Sequence, residues 1–326
     1  MDASIQPHSL QPSSFFKVQE RDLVAELLRD KRSPETRRAY AKDLKDFFKS
    51  ISGHEPNPQL VAEFLKLERA TAISLVLQYK AGLIERNLAE ATINRRLAAI
   101  KSLVKFAQKV DKCQWSLEEI DGEKVQHYRD TSGVERDIYS QILSSVDRSS
   151  LLGLRNYAIL ILLWSNALRR GELVKCDVKD FDQQGARLQI LGKGRGTQAE
   201  WVSLNSGTVD AIAQWLAARF QPSPFTLHPS DPLFISLSNN SPGKRITGNA
   251  IYNLVVEASV AAGVQKHLSP HRIRHSSVTA ALDATGGDVR RVKKLSRHKR
   301  IETLMVYDDN RINHQRDLTD LLGDML

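Results

Sequence analysis

Apolar residues recur every three or four positions through the first third of the chain, as on one buried face of a helix. The clearest example lies in 91–108, with apolar positions at Ile93, Leu97, Ile100, Val104 and Ala107. Ser33 and Pro34 suit the start of another helix, because serine caps a helix and proline fits its first turn. Alternating strand patterns of comparable strength are absent from this part. The pattern predicts an all-helical domain over 18–112, preceded by a polar tail at 1–17.

The pattern changes after a predicted linker at 113–136. Apolar and polar residues alternate in 187–191 and 201–204, which predicts two antiparallel strands joined by a glycine-rich turn. Helices are predicted around this hairpin at 137–147, 153–166, 207–220, 247–262, 270–284, 287–296 and 312–326. The expected fold class is therefore mainly α, with a small antiparallel β-sheet in a C-terminal domain over 137–326.

Composition narrows the class of protein. The 326 residues include 47 Lys and Arg against 38 Asp and Glu, and this net charge of +9 favours polyanionic partners such as nucleic acid. No apolar run reaches about 18 residues, so we expect no membrane span. The N-terminus lacks the basic and apolar regions of a signal peptide. Two cysteines, Cys113 and Cys176, are too few for a disulfide framework. We expect a reduced, intracellular, cytoplasmic protein.

The segment SPHRIRH (269–275) predicts an anion site at the start of a helix. Ser269 can cap the helix and Pro270 fits its first turn. His271 and Arg274 are three residues apart, so they share a face near the helix N-terminus, where backbone N–H groups already favour an anion. The alternative is a surface helix with ordinary charges.

Two further cations are candidates for binding a phosphate. Arg169 follows the apolar run 157–164, and its planar guanidinium can bind two phosphate oxygens while Glu172 orients it. The alternative is a purely structural Arg–Glu pair. Lys193 lies between glycines in the hairpin turn, where the backbone can approach a ligand closely. Because the GxxxxGK[ST] spacing is absent, we expect no nucleotide site there, and a flexible surface turn is the alternative.

A tyrosine follows these cations. Tyr307 comes nine residues after His298. Its hydroxyl, with an ordinary pKa of about 10, becomes a useful nucleophile only where cations stabilise the phenolate. A half-buried structural tyrosine is the alternative. A metal site is not expected at His267, His271 and His275, because Pro270 interrupts a continuous helix and no HExxH glutamate is present.

Together these motifs resemble the tyrosine recombinases, also called the phage integrase family, and within it the Xer-like two-domain recombinases. Their order matches over about 137–312, and no single motif would suffice. The segments are ALRRGEL (167–173), GKGRG (192–196), SPHRIRH (269–275), SRH (296–298) and MVYDD (305–309). The stretches at 33–48 and 91–107 also resemble the family's SAM-like core-binding domain. The resemblance therefore covers nearly the whole chain.

The resemblance implies a role for each matching residue. Tyr307 would attack the scissile phosphate and form a 3′-phosphotyrosine bond. Lys193 would be the general acid, and His271 would assist proton transfer. The remaining implied residues bind or support the phosphate site: Arg169, Arg274 and His298 at the phosphate, and Glu172 in support. No metal, nucleotide or other cofactor is implied, because the phosphotyrosine keeps the bond energy.

Three positions depart from the family's usual pattern. Ala167 and Arg297 stand where many members have glycine, and Ala89 stands where a polar cap usually precedes the basic helix. None of these changes removes a catalytic group. The side chain of Arg297 is expected to touch DNA or to point outward.

The family's folded form implies that two domains clamp double-stranded DNA at inverted-repeat core sites. The cations expected to meet that DNA are Arg37, Arg38, Arg95, Arg96, Lys101, Lys105 and Lys109. The last predicted helix has Leu318, Leu321, Leu322, Met325 and Leu326 on one side, which favours docking on a neighbouring protomer over packing on its own domain. The expected assembly is a homotetramer that exchanges this helix and recombines two sites through a Holliday junction, in a bacterial-type, nucleoid-associated setting.

Two other functions use the same residues. A type IB topoisomerase-like enzyme shares the Arg-Lys-Arg-His-Tyr chemistry, and a DNA-binding regulator could keep the fold without catalysis. The core-binding half and the terminal helix favour recombination over relaxation. All catalytic residue types are present, which disfavours the regulator. Because the polar tail at 1–17 is short, we expect a simple two-domain enzyme without an additional arm-binding domain.

Overall fold

The computed structural model describes residues 21–125, 133–192, 198–220, 228–298, 300–302, 304–305 and 314–325, with the side chains of 314–318 excepted. The chain forms two compact units, Met1–Tyr128 and Arg129–Leu326. The described part is mostly helical with one three-stranded antiparallel sheet in the second unit, which confirms the predicted fold class.

The described part of the first unit contains five helices: α1 (Leu23–Asp30), α2 (Pro34–Ser52), α3 (Pro58–Lys66), α4 (Arg69–Glu85) and α5 (Glu90–Lys109). Ser33 caps α2 as predicted, its hydroxyl accepting the Thr36 N–H at 3.3 Å. Ala89 precedes α5 and provides no side-chain cap. The core includes an edge-to-face aromatic group in which Phe47 contacts Phe64 and Tyr79, each at 5.2 Å between ring centroids.

The first unit extends further along the chain than the helical pattern suggested. Cys113, Trp115, Leu117 and Ile120 lie in the predicted linker, yet they are buried in the first unit's core. The Trp115 indole also donates to the Leu67 carbonyl at 2.9 Å. The segment has no helical or alternating period, so sequence periodicity could not reveal its burial.

The second unit opens with α6 (Arg136–Ser144), α7 (Leu151–Ser165) and the short α8 (Arg170–Leu173). A 3₁₀ turn then leads into β1 (Phe181–Asp182), β2 (Arg187–Ile190) and β3 (Glu200–Ser203), which pair in that order. The β2–β3 register places Leu188 opposite Val202, as the alternating pattern predicted. Further helices are α9 (Ser206–Arg219), α10 (Gly248–Ala261), α11 (Pro270–Ala284), α12 (Val289–Ser296) and α13 (His314–Gly323). None of the helices in the described residues is long and apolar enough to cross a membrane.

A small apolar cluster positions the segments that carry the candidate site. It consists of Ala167, Val278, Leu282, Val292 and Leu304. These residues come from the turn after α7, from α11, from α12 and from the segment that leads to Tyr307. Their burial fixes these four parts of the chain beside one another.

Candidate active site

Arg274 is the most deeply fixed residue of the site. It lies in the second turn of α11, where Ser269 caps the helix by accepting the Arg272 N–H at 3.3 Å. Only 2% of Arg274 is exposed, and its guanidinium donates to the carbonyls of Ala167 and Ser296. Both carbonyls belong to segments distant in sequence, so the arginine is held by the turn after α7 and by the end of α12.

Arg169 reaches the same region from the turn before α8. Its backbone N–H and its Nη1 each donate to the Glu172 carboxylate at 2.8 Å. The Glu172 side chain is 2% exposed, whereas that of Arg169 is 31% exposed. Glu172 therefore orients a guanidinium that keeps an open side toward solvent, as the spacing of the two residues predicted.

His298 completes this cluster from the residues after α12. Its Nε2 lies 3.4 Å from Nη2 of Arg274. Burial, followed by the charges of Arg274, Arg169, Arg297 and His271, lowers the pKa of His298 to about 4. The imidazole is therefore neutral near pH 7 and can accept or donate one hydrogen bond without adding charge.

His271 lies at the exposed start of α11, three residues before Arg274. Its effect on the pKa of His298 places it within electrostatic reach of the cluster. It is thus the most accessible titratable group among the predicted catalytic residues that the structure describes.

Two predicted catalytic residues, Lys193 and Tyr307, lie outside the described residues. The strands before and after Lys193 pair up to Ile190 and Glu200. Leu304, three residues before Tyr307, is fully buried in the cluster that also contains Ala167. The segment just before Tyr307 is thus packed beside Ala167, two residues before Arg169.

The arrangement brings two guanidinium groups and one neutral imidazole within electrostatic reach of one another, a set that suits the two non-bridging oxygens of a phosphodiester. No group of three or more His, Cys, Asp and Glu side chains in the described ranges could hold a metal ion. The His267 ring instead lies 2.9 Å from the Tyr252 hydroxyl, and His275 is buried.

Arg297 is a site residue that sequence reasoning placed wrongly. It neither points outward nor offers its charge to DNA, because only 6% of its side chain is exposed and Nη2 donates to Glu172 Oε2 at 3.0 Å. A basic residue among other cations gives no sign in the sequence that it turns inward.

The predicted DNA-contact residues divide into exposed and engaged side chains. Lys105 and Lys109 are exposed on α5 and have no ion pair with other described residues. Arg37 and Arg38 are exposed near the start of α2, where Arg38 lies 3.6 Å from Glu35. Lys101 is half-buried and donates to the Ile120 carbonyl at 2.6 Å.

The prediction for Arg96 requires correction. Arg96 is 7% exposed and donates to Asp46 and to the Tyr79 hydroxyl, so its charge is used inside the first unit. Arg95 is exposed, but its guanidinium pairs with the buried Asp43. Neighbouring residues on a helix point about 100° apart, so Arg95 and Arg96 face different sides of α5.

Comparisons with known proteins agree with the fold. Residues 134–314 match the phage integrase family, and residues 22–110 match the phage integrase N-terminal SAM-like domain. A tyrosine recombinase of Synechocystis sp. is 50% identical over 94% of this chain and 96% of its own length. A tyrosine recombinase of Synechococcus elongatus is 48% identical over 95% of each chain.

Solved structures share the fold at low identity. The XerH site-specific recombinase bound to a palindromic difH substrate aligns with a TM-score of 0.63 and 18% identity, over 92% of this chain and 84% of that one. A lambda integrase dimer bound to a COC′ core site aligns with a TM-score of 0.58 and 13% identity, over 89% of this chain and 95% of that one. The matched domains, the relatives at half identity and the clustered arginines lead to one conclusion: the chain belongs to the phage integrase family, as a tyrosine recombinase.

Proposed function

We propose that this protein is a site-specific DNA recombinase that cleaves and rejoins DNA through a 3′-phosphotyrosine intermediate. The observation that carries the proposal is the convergence of Arg169, Arg274 and His298 from three separate segments. Two fixed guanidinium groups stabilise the charge that develops on a phosphorane, so the reaction needs no metal ion. The family and the names of its relatives support the same activity.

In the proposed reaction, the Tyr307 oxygen forms a bond to phosphorus as the bond to the 5′ oxygen breaks. Lys193 gives a proton to the departing oxygen, which leaves as a 5′-hydroxyl, and His271 assists proton transfer at the tyrosine. Arg169 and Arg274 bind the non-bridging oxygens, and His298 hydrogen-bonds one of them once its ring proton lies on Nε2. Attack by a 5′-hydroxyl from the partner duplex reverses these steps and releases the tyrosine, so atoms and charge balance over the cycle.

The proposed assembly is a homotetramer on two inverted-repeat core sites, with strand exchange through a Holliday junction. The described part of α13 supports an exchanged helix, because Leu321, Leu322 and Met325 are 55%, 61% and 74% exposed. An apolar side of this kind gains stability when a neighbouring protomer covers it. This assembly implies that the protein acts inside a bacterial cell, in association with the nucleoid. The units 18–112 and 137–326 act in the proposal as core-binding and catalytic domains.

A trapped-cleavage experiment tests the activity and identifies the target site in the same step. Protein is crosslinked to DNA through its own phosphotyrosine in cells, the retained DNA is sequenced, and the recovered site is rebuilt as a duplex with a nick beside the cleavage position. We expect a covalent adduct with the wild type and none with Tyr307→Phe. Absence of any adduct on retained sites would leave only the DNA-binding regulator.

A second assay separates recombination from relaxation. A plasmid with two copies of the recovered site is expected to give deletion or inversion products that depend on both copies. A topoisomerase-like enzyme would instead relax supercoiled plasmids that lack the site, without product exchange.

A further inference from the structure

Two non-glycine residues of the site have left-handed backbones. Ala167 has a φ of 45° and Arg297 a φ of 56°, a region that residues with a Cβ rarely adopt and that glycine adopts readily. Ala167 lies between α7 and α8, and Arg297 ends α12. The two turns touch, because Nη2 of Arg297 donates to the Ala167 carbonyl at 3.2 Å. The chain therefore keeps two strained residues in contact where glycine would remove the strain.

The Arg297 side chain has a set of partners that explains why its turn is retained. Nη1 donates to the carbonyl of Asn166 at 3.0 Å and to that of Leu295 at 2.7 Å. Nη2 donates to Glu172 Oε2 at 3.0 Å, and Nε lies 3.9 Å from Glu200 Oε1 at the start of β3. One buried guanidinium thus joins the end of α12 to the turn before α8 and to β3.

Glu172 connects Arg297 to Arg169, because its carboxylate accepts hydrogen bonds from both residues. Its Oε2 accepts from Arg297 and from the Arg169 backbone, and its Oε1 accepts from the Arg169 guanidinium. Burial alone raises the pKa of Glu172, but the charge of Arg297, followed by the hydrogen bonds and charge of Arg169, brings it below its ordinary value. Without Arg297, the buried carboxylate would have one cation left and would hold a proton more readily.

We propose that Arg297 is a positioning residue: it holds the Glu172 carboxylate in place, and through that carboxylate it fixes the Arg169 guanidinium relative to Arg274. This inference rests on the proposed function, in which Arg169 and Arg274 bind the scissile phosphate. The Ala167 carbonyl strengthens the link, because it accepts from both Arg274 and Arg297. Loss of the Arg297 side chain is therefore expected to loosen both phosphate-binding groups without removing either.

Three substitutions separate the side chain from the backbone. Arg297→Gly removes the side chain and relieves the left-handed strain, Arg297→Ala removes the side chain and keeps the strain, and Arg297→Lys keeps a charge without the planar fork. The matched control is Arg155→Ala, because Arg155 is also buried and donates to a carbonyl, that of Ile235 at 3.0 Å, but contacts no residue of the cluster.

Cleavage is measured in single turnover on the nicked duplex that carries the recovered site. We expect Gly and Ala at 297 to slow cleavage by about 10- to 100-fold at saturating DNA, since small misplacements of a phosphate-binding group have effects of this order, while the Kd for the duplex stays nearly constant. Lysine is expected to restore part of the rate. The acid side of the pH–rate profile should move to higher pH, because Glu172 then faces Arg169 and the Cys176 thiol without its second cation and holds a proton more readily.

A second measurement uses no DNA. Hydrogen exchange at the Arg169 guanidinium, followed by nuclear magnetic resonance, is expected to be slow in the wild type and in Arg155→Ala, and faster in Arg297→Gly. In the double variant Arg297→Gly/Glu172→Gln, the loss of cleavage should be clearly smaller than the product of the two single losses, because Arg297 acts on Arg169 through Glu172.

The outcomes divide clearly. Slower cleavage with faster exchange in Arg297→Gly supports the positioning role. An Arg297→Gly protein that cleaves at the wild-type rate, or whose Arg169 exchange is unchanged, overturns it, even if the melting temperature falls. If wild-type protein forms no adduct with any retained site, the proposed function fails, and the exchange measurement alone still decides whether Arg297 fixes Arg169.

Discussion

Nη2 of Arg274 lies 3.4 Å from Nε2 of His298, so the imidazole faces a buried positive charge at close range. Arginine has no acceptor, which makes Nε2 the acceptor in this contact and leaves the proton on Nδ1. The charge and the burial together favour the neutral ring, and the pKa of His298 falls to about 4.

The first prediction concerns stability and pH. The folded-state pKa of His298, about 4, lies below its ordinary value of 6.5, so the unfolded chain binds more protons between these two values. The titration of His298 therefore costs the folded protein no stability above pH 6.5. As the pH falls from 6.5 toward 4, the unfolded chain takes up the proton first and the free energy of unfolding decreases. The melting temperature of wild-type protein should therefore decline more steeply across this window than that of His298→Gln. Equal slopes would show that His298 does not titrate in this way.

The second prediction concerns Arg274. Arg274→Ala removes the guanidinium donor from the buried Ser296 carbonyl, at about 1–3 kcal/mol, and leaves the Ala167 carbonyl with Arg297 alone, so it is expected to lower stability as well as cleavage. Arg274→Lys keeps a charge but cannot reach Ala167 and Ser296 with a planar fork. We expect the lysine variant to fold and to bind duplex, with cleavage reduced by about 100-fold or more. Retention of cleavage in Arg274→Lys would contradict a role in phosphate binding.

The third prediction separates the two kinds of cation on α5. Lys105→Ala is expected to weaken binding to all duplexes and to reduce the slope of log K against log salt by about 0.9, as for one lost phosphate contact. Arg96→Ala removes the buried partner of Asp46, so it should lower the free energy of unfolding while leaving the salt slope unchanged. A salt slope altered by Arg96→Ala alone, in folded protein, would contradict the buried placement.

The fourth prediction concerns α13. Truncation after Asn313 is expected to leave binding to a single site largely intact and to abolish paired-site assembly, because the exposed apolar side of the helix is then missing. Leu321→Asp combined with Leu322→Asp should have the same effect through charge alone. Band shifts with one-site and two-site DNA measure the two steps. Unchanged recombination in either variant would exclude helix exchange.

The fifth prediction tests Lys193 as the acid. Lys193→Ala should cleave ordinary duplex poorly but should recover on a substrate with sulfur at the 5′-bridging position, because a thiolate leaves without protonation. Arg274→Lys is the control, since a better leaving group does not replace a phosphate-binding group. Lack of rescue would assign proton donation to another residue.

The sequence predicted most of the architecture because the helices and the hairpin have clear periods. Ser33 and Ser269 cap helices as expected, and the strand pairing of Leu188 with Val202 follows from alternation. Burial of Trp115 could not be predicted, because an irregular segment has no period that reveals the side it buries. The core of the first unit therefore includes residues of the predicted linker.

The candidate site was predictable in its residue types but not in its internal connections. The spacing of Arg169 and Glu172 within one turn indicated their pairing, and the structure places both together. The inward direction of Arg297 depends on a left-handed backbone and on contacts with residues more than a hundred positions away. Neither is encoded in a local pattern.

The partners that anchor Arg274 are the carbonyls of Ala167 and Ser296, and a carbonyl is present whatever side chain its residue carries. The identities of these two residues can drift through evolution while the anchor persists. Comparisons that score amino-acid identity will therefore detect the arginine but not the backbone carbonyls that accept its hydrogen bonds. Surveys of divergent members should for this reason compare backbone structures.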